Sequence, residues 1–493
     1  MALEDIINDR VKKLENFQGA GVDPYPAESK RTHFINELVS DFEILSQSQK
    51  KVIAVGRIIG LRNQGNIFFA DLKDGLAGLT TSSSAKIQFV TKKDDIKDFE
   101  LYRDNLDIGD FIQVTGTLFI TQKGEKSIQT AELKLLAKSL RPLPDQWSGL
   151  SDIETKLRKR YLDLLSNEDV KEIFKKKAIF WDTIRNFLKK QKFLEVEMPV
   201  FESIPGGADA EPFMTHHNAL DQDFYLRISL ELPLKKLLVG GYEKVFEIGR
   251  IFRNEGIDAE HLQDYTQMEF YAAYQDYKWL MKFVEKMYKL VVKNTTGSLI
   301  TEWQERQIDW GKKWPKIDYV KIFKEKAGID LKKATEEQLT AKARELGLNL
   351  ESGMGKGRII DLIYKKTVRP TLIQPCFLVN PPVEVEPLAK KLTKDDGRVA
   401  RIQIVAAGTE LGKGFSELND PIDQRHRFME QMRLREQGDK EAQRLDEDFL
   451  EAISYGMPPA AGFGLSERLF AILMNKPVRE TVIFPLMRPK KSE

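Results

Sequence analysis

A change of pattern near residue 145 divides the sequence into two parts that must fold separately. From about Lys51 to Leu140 the chain consists of short β-rich runs separated by Gly, Asn and Asp. The segment RPLPDQWSGLSD, residues 141 to 152, then combines two prolines with a glycine, which is typical of an interdomain linker. Beyond it, longer helical patterns alternate with strands. The sequence therefore predicts two domains joined by a linker over 143–155, which suits a chain of 493 residues.

The first part predicts a small closed β-barrel over residues 51–142. Its runs are VIAVGRIIGL, NIFFADL, KIQFV, DFIQVTGTLFI and SIQTAELKLLA. Short strands with glycine in the first hairpin are typical of the Greek-key barrel known as the OB-fold, whose strand face stacks bases on aromatic side chains. Four phenylalanines lie in these runs and are expected to be mostly core: Phe68, Phe69, Phe89 and Phe119. Residues 1–50 predict a helical extension, because apolar residues recur at helical spacing as far as Phe17.

The second part, residues 156–493, predicts an antiparallel sheet flanked by helices. A long region of strands is expected from 193 to 277, then a helical insertion over about 278–368, and then further strands. The strands do not alternate regularly with helices, which argues against a doubly wound parallel sheet. The chain as a whole is therefore expected to be of the α+β class.

Composition excludes several classes of protein. No apolar run approaches the roughly 20 residues of a membrane-spanning helix, and the acidic start MALEDIINDR lacks the order of a signal peptide, so we expect a cytoplasmic protein. The single cysteine, Cys376, can form neither an internal disulfide nor a multi-thiolate zinc site, and a buried structural thiol is expected. The net charge of +2 means that any surface for nucleic acid must come from local clustering.

Residues 245–274, VFEIGRIFRNEGIDAEHLQDYTQMEFYAAY, predict a hairpin of two alternating strands joined by a polar loop. Arg253 and Glu255 fall on one side of the first strand, and Glu269 and Tyr271 share a face of the second, because side chains alternate along a strand. Such a face offers a guanidinium for phosphate and carboxylates for a cationic group.

This hairpin is similar to the second signature motif of the class II aminoacyl-tRNA synthetases, and specifically of the lysyl family. FLEVEMPVF, at 193 to 201, resembles the first motif, with Pro199 where the family has its dimer-interface proline. The segments GGADAEPFMTHHNALDQDFYLRISLELPLKKL, GFSELNDP and YGMPP also resemble this family in order and spacing. The likeness covers essentially the whole chain.

The resemblance implies an ATP site. Arg253 matches the arginine that contacts the α-phosphate and the amino-acid carboxylate, and is the expected catalytic residue. The ATP-binding positions of the family are matched by Arg253, Glu255, His261, Tyr265, Glu410 and Arg468. The family also implies Mg²⁺, about three ions, with Glu410 among the ligands.

The resemblance further implies pockets for lysine and for an anticodon. The lysine-binding positions are matched by Gly207, Glu231, Glu269, Tyr271, Phe415 and Glu417. The alternative is that these glutamates pair with internal Lys or Arg, which is credible for any one of them. In the barrel, the anticodon-binding positions are matched by Arg57, Phe69, Gln88 and Glu132.

Three departures from the family pattern concern the ATP end. Gln403 stands where the family has an acidic magnesium ligand, and Lys413 replaces an asparagine. The third motif, GFGLSERLF, is one residue short, although Gly462 and Gly464 still permit close approach of the backbone and Arg468 keeps its place. Because Mg²⁺ prefers carboxylate oxygens, the number of bound ions is in question.

The sequence as a whole predicts a homodimeric enzyme that joins lysine to tRNA(Lys) at the expense of ATP. One alternative is an enzyme of the same fold that delivers lysine or an analogue to a protein, but such relatives generally lack the barrel. The other is a catalytically impaired relative that binds tRNA or amino acid for regulation. Gln403, Lys413 and the short third motif support that alternative, whereas Arg253 and Glu410 argue against it.

Overall fold

The computed structural model describes residues 2–75, 85–144, 152–254, 256, 262–351, 353–392, 395–439 and 441–489. The chain forms two compact units, Met1–Val170 and Lys171–Glu493. Most of the predicted linker lies outside the described residues, as do Glu255 and His261.

The first unit contains a closed five-stranded barrel with the strand order β1-β2-β3-β5-β4, which confirms the predicted OB-type barrel. Phe68 and Phe89 are fully buried in its core, whereas Phe69 and Phe119 are half-buried. A Cβ atom at Gly116 would lie 2.0 Å from the carbonyl oxygen of Gln129, so glycine is required where the barrel register shifts. The strands are β1 (Val52–Gln64), β2 (Ile67–Lys73), β3 (Lys86–Lys92), β4 (Phe111–Ile120) and β5 (Lys126–Ala137).

The predicted amphipathic helix at the start of the chain is present as α1 (Leu3–Gly19) and packs on the barrel. Phe17 is fully buried, and Arg10 donates to the carbonyl oxygens of Ser139, Arg141 and Ile108. The other helices of this unit are α2 (Ile35–Ser40), α3 (Phe42–Ser48), α4 (Phe99–Asn105), α5 (Ile153–Arg158) and α6 (Arg160–Ser166).

The second unit is built on an eight-stranded sheet with the order β14-β15-β18-β19-β20-β11-β10-β6. The inner pairs are antiparallel, and the two outermost pairs, β14 with β15 and β10 with β6, are parallel. The strands of this unit are β6 (Leu194–Glu195), β7 (Phe201–Glu202), β8 (Met214–His217), β9 (Gln222–Leu226), β10 (Lys244–Phe252), β11 (Asp264–Ala273), β12 (Ile300–Trp303), β13 (Arg306–Asp309), β14 (Lys316–Asp318), β15 (Cys376–Val379), β16 (Lys391–Leu392), β17 (Asp395–Val399), β18 (Arg401–Ala406), β19 (Thr409–Ser416) and β20 (Ala460–Ser466). The structure thus confirms the predicted α+β class.

Helices pack on both faces of this sheet. They are α7 (Glu168–Lys190), α8 (Glu231–Val239), α9 (Tyr277–Thr296), α10 (Tyr319–Ala327), α11 (Glu336–Glu345), α12 (Lys356–Thr367), α13 (Pro421–Glu436), α14 (Glu447–Ser454) and α15 (Arg468–Leu473). Short 3₁₀ helices occupy Arg369–Thr371, Val383–Val385 and Val478–Thr481. Helices α7, α9 and α15 share a core with the sheet. Among the described residues, no helix is long and apolar enough to cross a membrane.

Two local predictions have different outcomes. The expected run of strands from 193 to 277 is wrong at α8, where ELPLKKLL has its apolar residues at helical spacing. The expected structural thiol is confirmed, because Cys376 is buried on β15 and burial raises the pKa of its thiol to about 12. Within 278–368 the helices are accompanied by the hairpin of β12 and β13.

Candidate active site

The face of the large sheet that carries Glu269, Tyr271 and Gln403 forms the floor of a cleft with a volume of about 630 Å³. Side chains alternate along its strands, so that Phe270 enters the core while Glu269 and Tyr271 face the cleft. In the same way Ile402 is buried in the core, and Gln403 faces the cleft. The cleft brings together predicted residues from distant parts of the sequence: Gly207, Glu231, Arg253, Tyr265, Glu269, Tyr271, Gln403, Glu410, Lys413, Phe415 and Arg468.

One end of the cleft, here called the acidic end, is lined by Glu231, Glu269 and Tyr271. Glu417 does not line the cleft itself, but it belongs to the same buried group through its ion pair with Lys235. Glu269 accepts hydrogen bonds from the hydroxyl groups of Ser229 and Tyr271, each at 2.8 Å. Glu417 follows immediately after β19, and both of its oxygens lack a hydrogen-bond partner of ordinary geometry among the described residues. These carboxylates are almost completely buried, which is unfavourable unless a cation compensates them.

Lys235 supplies one such cation, and sequence reasoning missed it. Its Nζ lies 2.5 Å from Glu231 Oε1 and 2.5 Å from Glu417 Oε2, and its side chain is 0% exposed. Glu231 and Lys235 are four residues apart on α8, so they share one face of the helix. The alternative considered for the glutamates, pairing with an internal cation, is thus realised for two of the three.

Burial shifts the titration of this end. Desolvation raises the pKa of Glu231 to about 7 and that of Glu417 to about 8, although Lys235 opposes both shifts. Desolvation would lower the pKa of Lys235, but Glu231 and Glu417 outweigh it and raise that pKa. A further cation bound at the acidic end would therefore stabilise the ionised forms of these carboxylates.

Glycine residues give this pocket its space. Gly207 has φ +82°, and a Cβ atom there would lie 2.9 Å from Glu231 Cβ. On β20, a Cβ atom at Gly462 would lie 2.3 Å from Tyr271 Cε1 and 2.4 Å from Glu417 Oε1. At Gly462 the floor of the acidic end therefore consists of main chain alone.

The opposite end of the cleft, here called the basic end, surrounds Glu410 near the start of β19. Gln403 Nε2 donates to Glu410 Oε2 at 2.5 Å, and Arg468 Nη1 donates to the Glu410 carbonyl oxygen at 3.4 Å. The β18–β19 ladder shifts its register between Ile404 and Val405. This irregularity lets Gln403 and Glu410 meet although they are not directly opposite on the two strands.

Four cations act on Glu410 at the basic end. Desolvation would raise the pKa of Glu410, but Arg401, Lys413, Arg468 and Lys365 outweigh it and lower that pKa. Arg401 and Lys365 were missed by sequence reasoning. Arg401 lies two residues before Gln403 on β18, so the period of the strand could have placed both on one face.

Arg253 follows the last residue of β10, and Tyr265 is the second residue of β11. The main-chain N–H of Arg253 donates to the Gln263 carbonyl oxygen at 2.8 Å and extends the pairing beyond Phe252. The Arg253 guanidinium carbon lies 5.7 Å from the centroid of the Tyr265 ring, and its Nε donates to the Ile228 carbonyl oxygen at 3.3 Å. The guanidinium is thus held over the cleft by contacts on two sides.

The segment 353–358 also reaches the cleft. The sequence of 352–358, SGMGKGR, predicts a turn into a helix instead of a phosphate-binding loop, and α12 indeed begins at Lys356. Gly357 is required there, since a Cβ atom would lie 1.9 Å from the Glu384 carbonyl oxygen. This close approach places Asp361, Lys365 and Arg369 along the cleft wall.

The described residues do not fit a magnesium site with two carboxylates. Glu410 keeps one carboxylate, but its neighbour Gln403 offers only a neutral amide. Among the described residues, no group of three His, Cys, Asp or Glu side chains is arranged to hold a metal ion. Hard Mg²⁺ prefers charged oxygen ligands, so the expected ion count does not follow from these side chains.

The predicted anticodon-binding residues belong to the barrel of the first unit. In the barrel, Phe68 and Phe89 enter the core, so Phe69 lies on the outer face by strand alternation. Glu132 is exposed. Gln88 is buried and accepts a hydrogen bond from Ser127 Oγ at 3.1 Å.

Arg57 is half-buried in the same barrel. Its Nη1 donates to the Gly109 carbonyl oxygen at 3.1 Å, and its guanidinium lies 4.2 Å from the Phe111 ring centroid. In the second unit, Pro199 is exposed beyond the edge strand β6. Glu255 and His261 lie outside the described residues, so the structure gives no position for them.

Comparison with known families agrees with this architecture. Residues 152–488 match the family described as tRNA synthetases class II (D, K and N), and residues 52–143 match the OB-fold nucleic acid binding domain. The matching segments cover both the cleft and the barrel. The chain therefore belongs to the class II tRNA synthetases.

Full-length relatives narrow the family to its lysyl members. A protein of Roseiflexus castenholzii is 43% identical over 100% of both chains. A protein of Moorella thermoacetica is 43% identical over 99% of both chains, and one of Bacillus subtilis is 41% identical over 99% of this chain and 98% of its own. Each of these relatives is named Lysine--tRNA ligase.

Proposed function

We propose that this protein activates lysine with ATP and transfers it to the 3′ end of tRNA(Lys). The observation that carries the proposal is the charge of the acidic end. Three carboxylates, those of Glu231, Glu269 and Glu417, are grouped there with the single internal ammonium of Lys235. When ionised, they leave an excess of two negative charges, which is the number that the α- and ε-ammonium groups of lysine neutralise.

The geometry favours a diamino acid over other substrates. Glu269 is held by Ser229 and Tyr271, whereas Glu417 is held by the Lys235 ion pair. An amino acid without a terminal amine would leave a buried carboxylate uncompensated, which costs several kcal/mol. A site of this kind can discriminate by large factors without a separate editing domain.

Activation requires one displacement at phosphorus. A carboxylate oxygen of lysine attacks the α-phosphorus, the new O–P bond forms, and the bond from that phosphorus to the bridging oxygen breaks. Pyrophosphate leaves with the electron pair. We assign no protein group as a general base, because the lysine carboxylate attacks in its ionised form.

Arg253 is assigned to the charge that develops in this step. A planar guanidinium can contact a phosphate oxygen and a carboxylate oxygen together, and a fixed cation stabilises the transition state without reorganising. We assign Tyr265 and Arg468 to the nucleotide, together with Glu410 and with Glu255 and His261 of the loop. Mg²⁺ that arrives bound to ATP is part of the substrate and lowers the charge of the triphosphate.

Transfer to tRNA completes the reaction. A hydroxyl oxygen of the terminal ribose attacks the carbonyl carbon of lysyl-adenylate, the ester C–O bond forms, and the bond from that carbon to the phosphate oxygen breaks. AMP leaves with the electron pair, and its phosphate takes up the hydroxyl proton. We assign the outer face of the barrel to the anticodon, with Arg57, Phe69 and Glu132 in contact and Gln88 holding the strand through Ser127. The barrel favours tRNA as the acceptor over a protein.

We further propose a cytoplasmic homodimer. The edge strand β6 and its surroundings expose large apolar side chains, which is uncommon on a free surface: Leu194 is 48%, Phe201 60% and Met214 63% exposed. Pro199 lies among them in sequence and is also exposed. Pairing of two copies through this edge would cover these side chains and the unpaired side of β6.

Lysine-dependent exchange between ATP and pyrophosphate tests the proposed function. We expect exchange with lysine and little with the other nineteen amino acids. Glu417→Gln should raise the KM for lysine by about 30-fold or more, because a buried charge contact of this kind is worth at least about 2 kcal/mol. Glu243→Gln, at an exposed position, is the matched control. Absence of exchange with every amino acid would instead favour a regulatory binding protein.

A further inference from the structure

The two substituted positions of the basic end face each other. Gln403 on β18 and Lys413 on β19 are direct cross-strand partners, and both line the cleft. Side chains at such paired positions lie on the same face of the sheet, about 5 Å apart at Cβ. The two departures from the lysyl pattern therefore occupy one place in the structure.

Both substitutions change the local charge in the same direction. Glutamine in place of an acidic ligand removes one negative charge, and lysine in place of asparagine adds one positive charge. Together they add two positive charges, which is the charge of one divalent cation. The basic end thus carries, within the protein, the charge that such an ion would bring.

The neighbouring carboxylates are already engaged by protein cations. Lys413 Nζ lies 3.0 Å from Glu386 Oε2, and Arg401 Nε lies 3.3 Å from the same oxygen. Two cations thus share one buried carboxylate, and all three of these side chains line the cleft.

The other acidic groups of this wall have partners as well. Lys365 Nζ lies 2.8 Å from Asp361 Oδ2, and Arg358 Nη1 lies 2.5 Å from Asp439 Oδ1. A metal ion bound by these carboxylates would have to displace an ammonium or a guanidinium from each.

We propose that Lys413, opposite the neutral Gln403, replaces one divalent cation at the pyrophosphate side of the ATP site. The ammonium group stabilises the negative charge that accumulates on the leaving pyrophosphate. Accordingly, the protein binds one divalent ion fewer with ATP than a variant that has the acidic and asparagine side chains of the family. This inference rests on the proposed function, which assigns ATP to this end of the cleft.

Counting bound Mn²⁺ tests the inference without requiring catalysis. Mn²⁺ is titrated into the full-length protein with saturating lysine and the non-hydrolysable analogue β,γ-methylene-ATP, and free Mn²⁺ is measured by electron paramagnetic resonance. Binding of the analogue is measured separately, so that empty sites are not counted. The double variant Gln403→Glu/Lys413→Asn should bind one Mn²⁺ more per active site than the unmodified protein.

A charge-matched variant separates this effect from a general loss of positive charge. Lys366→Asn lies on the same helix as Lys365 but is exposed and outside the cleft, and its Mn²⁺ count should equal that of the unmodified protein. Equal counts in the double variant and the unmodified protein would overturn the inference. So would an additional ion in Lys366→Asn.

The single variant Lys413→Asn gives a second measurement that does not depend on how the double variant folds. It lacks both the ammonium and the acidic ligand, so its exchange rate should fall about 10²- to 10³-fold and saturating Mg²⁺ should not restore it. Recovery at high Mg²⁺ would contradict the inference. If the unmodified protein shows no lysine-dependent exchange, the proposed function fails, and the Mn²⁺ count with the analogue still decides between fixed charge and metal.

Discussion

At the acidic end of the cleft three glutamates are grouped with one lysine, whereas at the basic end four cations surround one glutamate. Both ends lie on the same sheet, with Glu410 near the start of β19 and Glu417 immediately after its end. Each end contains internal groups of the opposite sign, so neither buries charge of a single sign alone. The difference shows how one strand can present a site for cations and a site for anions a few residues apart.

Removing the guanidinium group of Arg253 should have the largest effect. Arg253→Ala is expected to lower kcat/KM for lysine activation by about 10³-fold, because a fixed cation on the reacting groups is lost. Arg425→Ala, which breaks an exposed pair with Glu447, should leave it unchanged. Steady-state pyrophosphate exchange measures both. A loss below tenfold in Arg253→Ala would assign the central role to another cation of the basic end.

Removing the internal cation of the acidic end should mainly affect stability. Lys235→Met leaves Glu231 and Glu417 buried without their partner, and about 3 kcal/mol of unfolding free energy should be lost near pH 8.5. These carboxyls have raised pKa values in the folded state, so the folded protein binds protons that the unfolded chain does not. Stability therefore rises as pH falls, and the deficit should shrink towards pH 6.

Urea titrations at the two pH values measure this deficit. Lys236→Met is the neighbouring control, since Lys236 forms its ion pair with the exposed Asp448 at the surface. A deficit that is equal at both pH values would mean that Glu231 and Glu417 do not titrate in this range.

The barrel should contribute to tRNA binding and not to activation. Phe69→Ala is expected to raise the KM for tRNA about tenfold, because one stacked base is worth about 1–3 kcal/mol. Pyrophosphate exchange without tRNA should not change. Ile120→Ala, an exposed apolar position on the same barrel, is the control. An equal effect of both substitutions on tRNA binding would remove the special role of Phe69.

The smallest expected effect is the pH dependence of lysine binding. Glu231 and Glu417 have pKa values of about 7 and 8 in the free protein, so part of each population is protonated near neutral pH. Bound ammonium groups favour the ionised forms, and the KM for lysine should fall several-fold from pH 6.5 to pH 8.5. Calorimetry in buffers of different ionisation enthalpy should detect proton release on binding. Proton uptake would contradict this assignment.

The sequence predicts the parts of the site that follow a strand period or a family motif. Strand alternation places Glu269 and Tyr271 on one face, and the family motifs indicate Arg253, Glu410 and Arg468, all of which line the cleft. The barrel follows from its strand and turn pattern.

The missed residues are partners whose role depends on tertiary contacts. In the sequence, nothing distinguishes Lys235 from other lysines in helices. Its role depends on its contact with Glu417, which is far away in sequence. Lys365 likewise reaches the cleft only because Gly357 lets α12 approach the Glu384 carbonyl. The strand expected at α8 was wrong because the neighbouring strand pattern was extended across it. The spacing of residues within one helix or strand does not predict contacts between separate elements.

Gly462 affects how the pocket selects the length of its substrate. Because Gly462 has no side chain, the Tyr271 ring and the Glu417 carboxylate lie directly against its main chain. Backbone in the middle of a hydrogen-bonded sheet has no alternative rotamer, so it cannot move out of the pocket as a side chain can. The length of the amino acid that fits is therefore set by the spacing of strands, the least adjustable dimension of the fold.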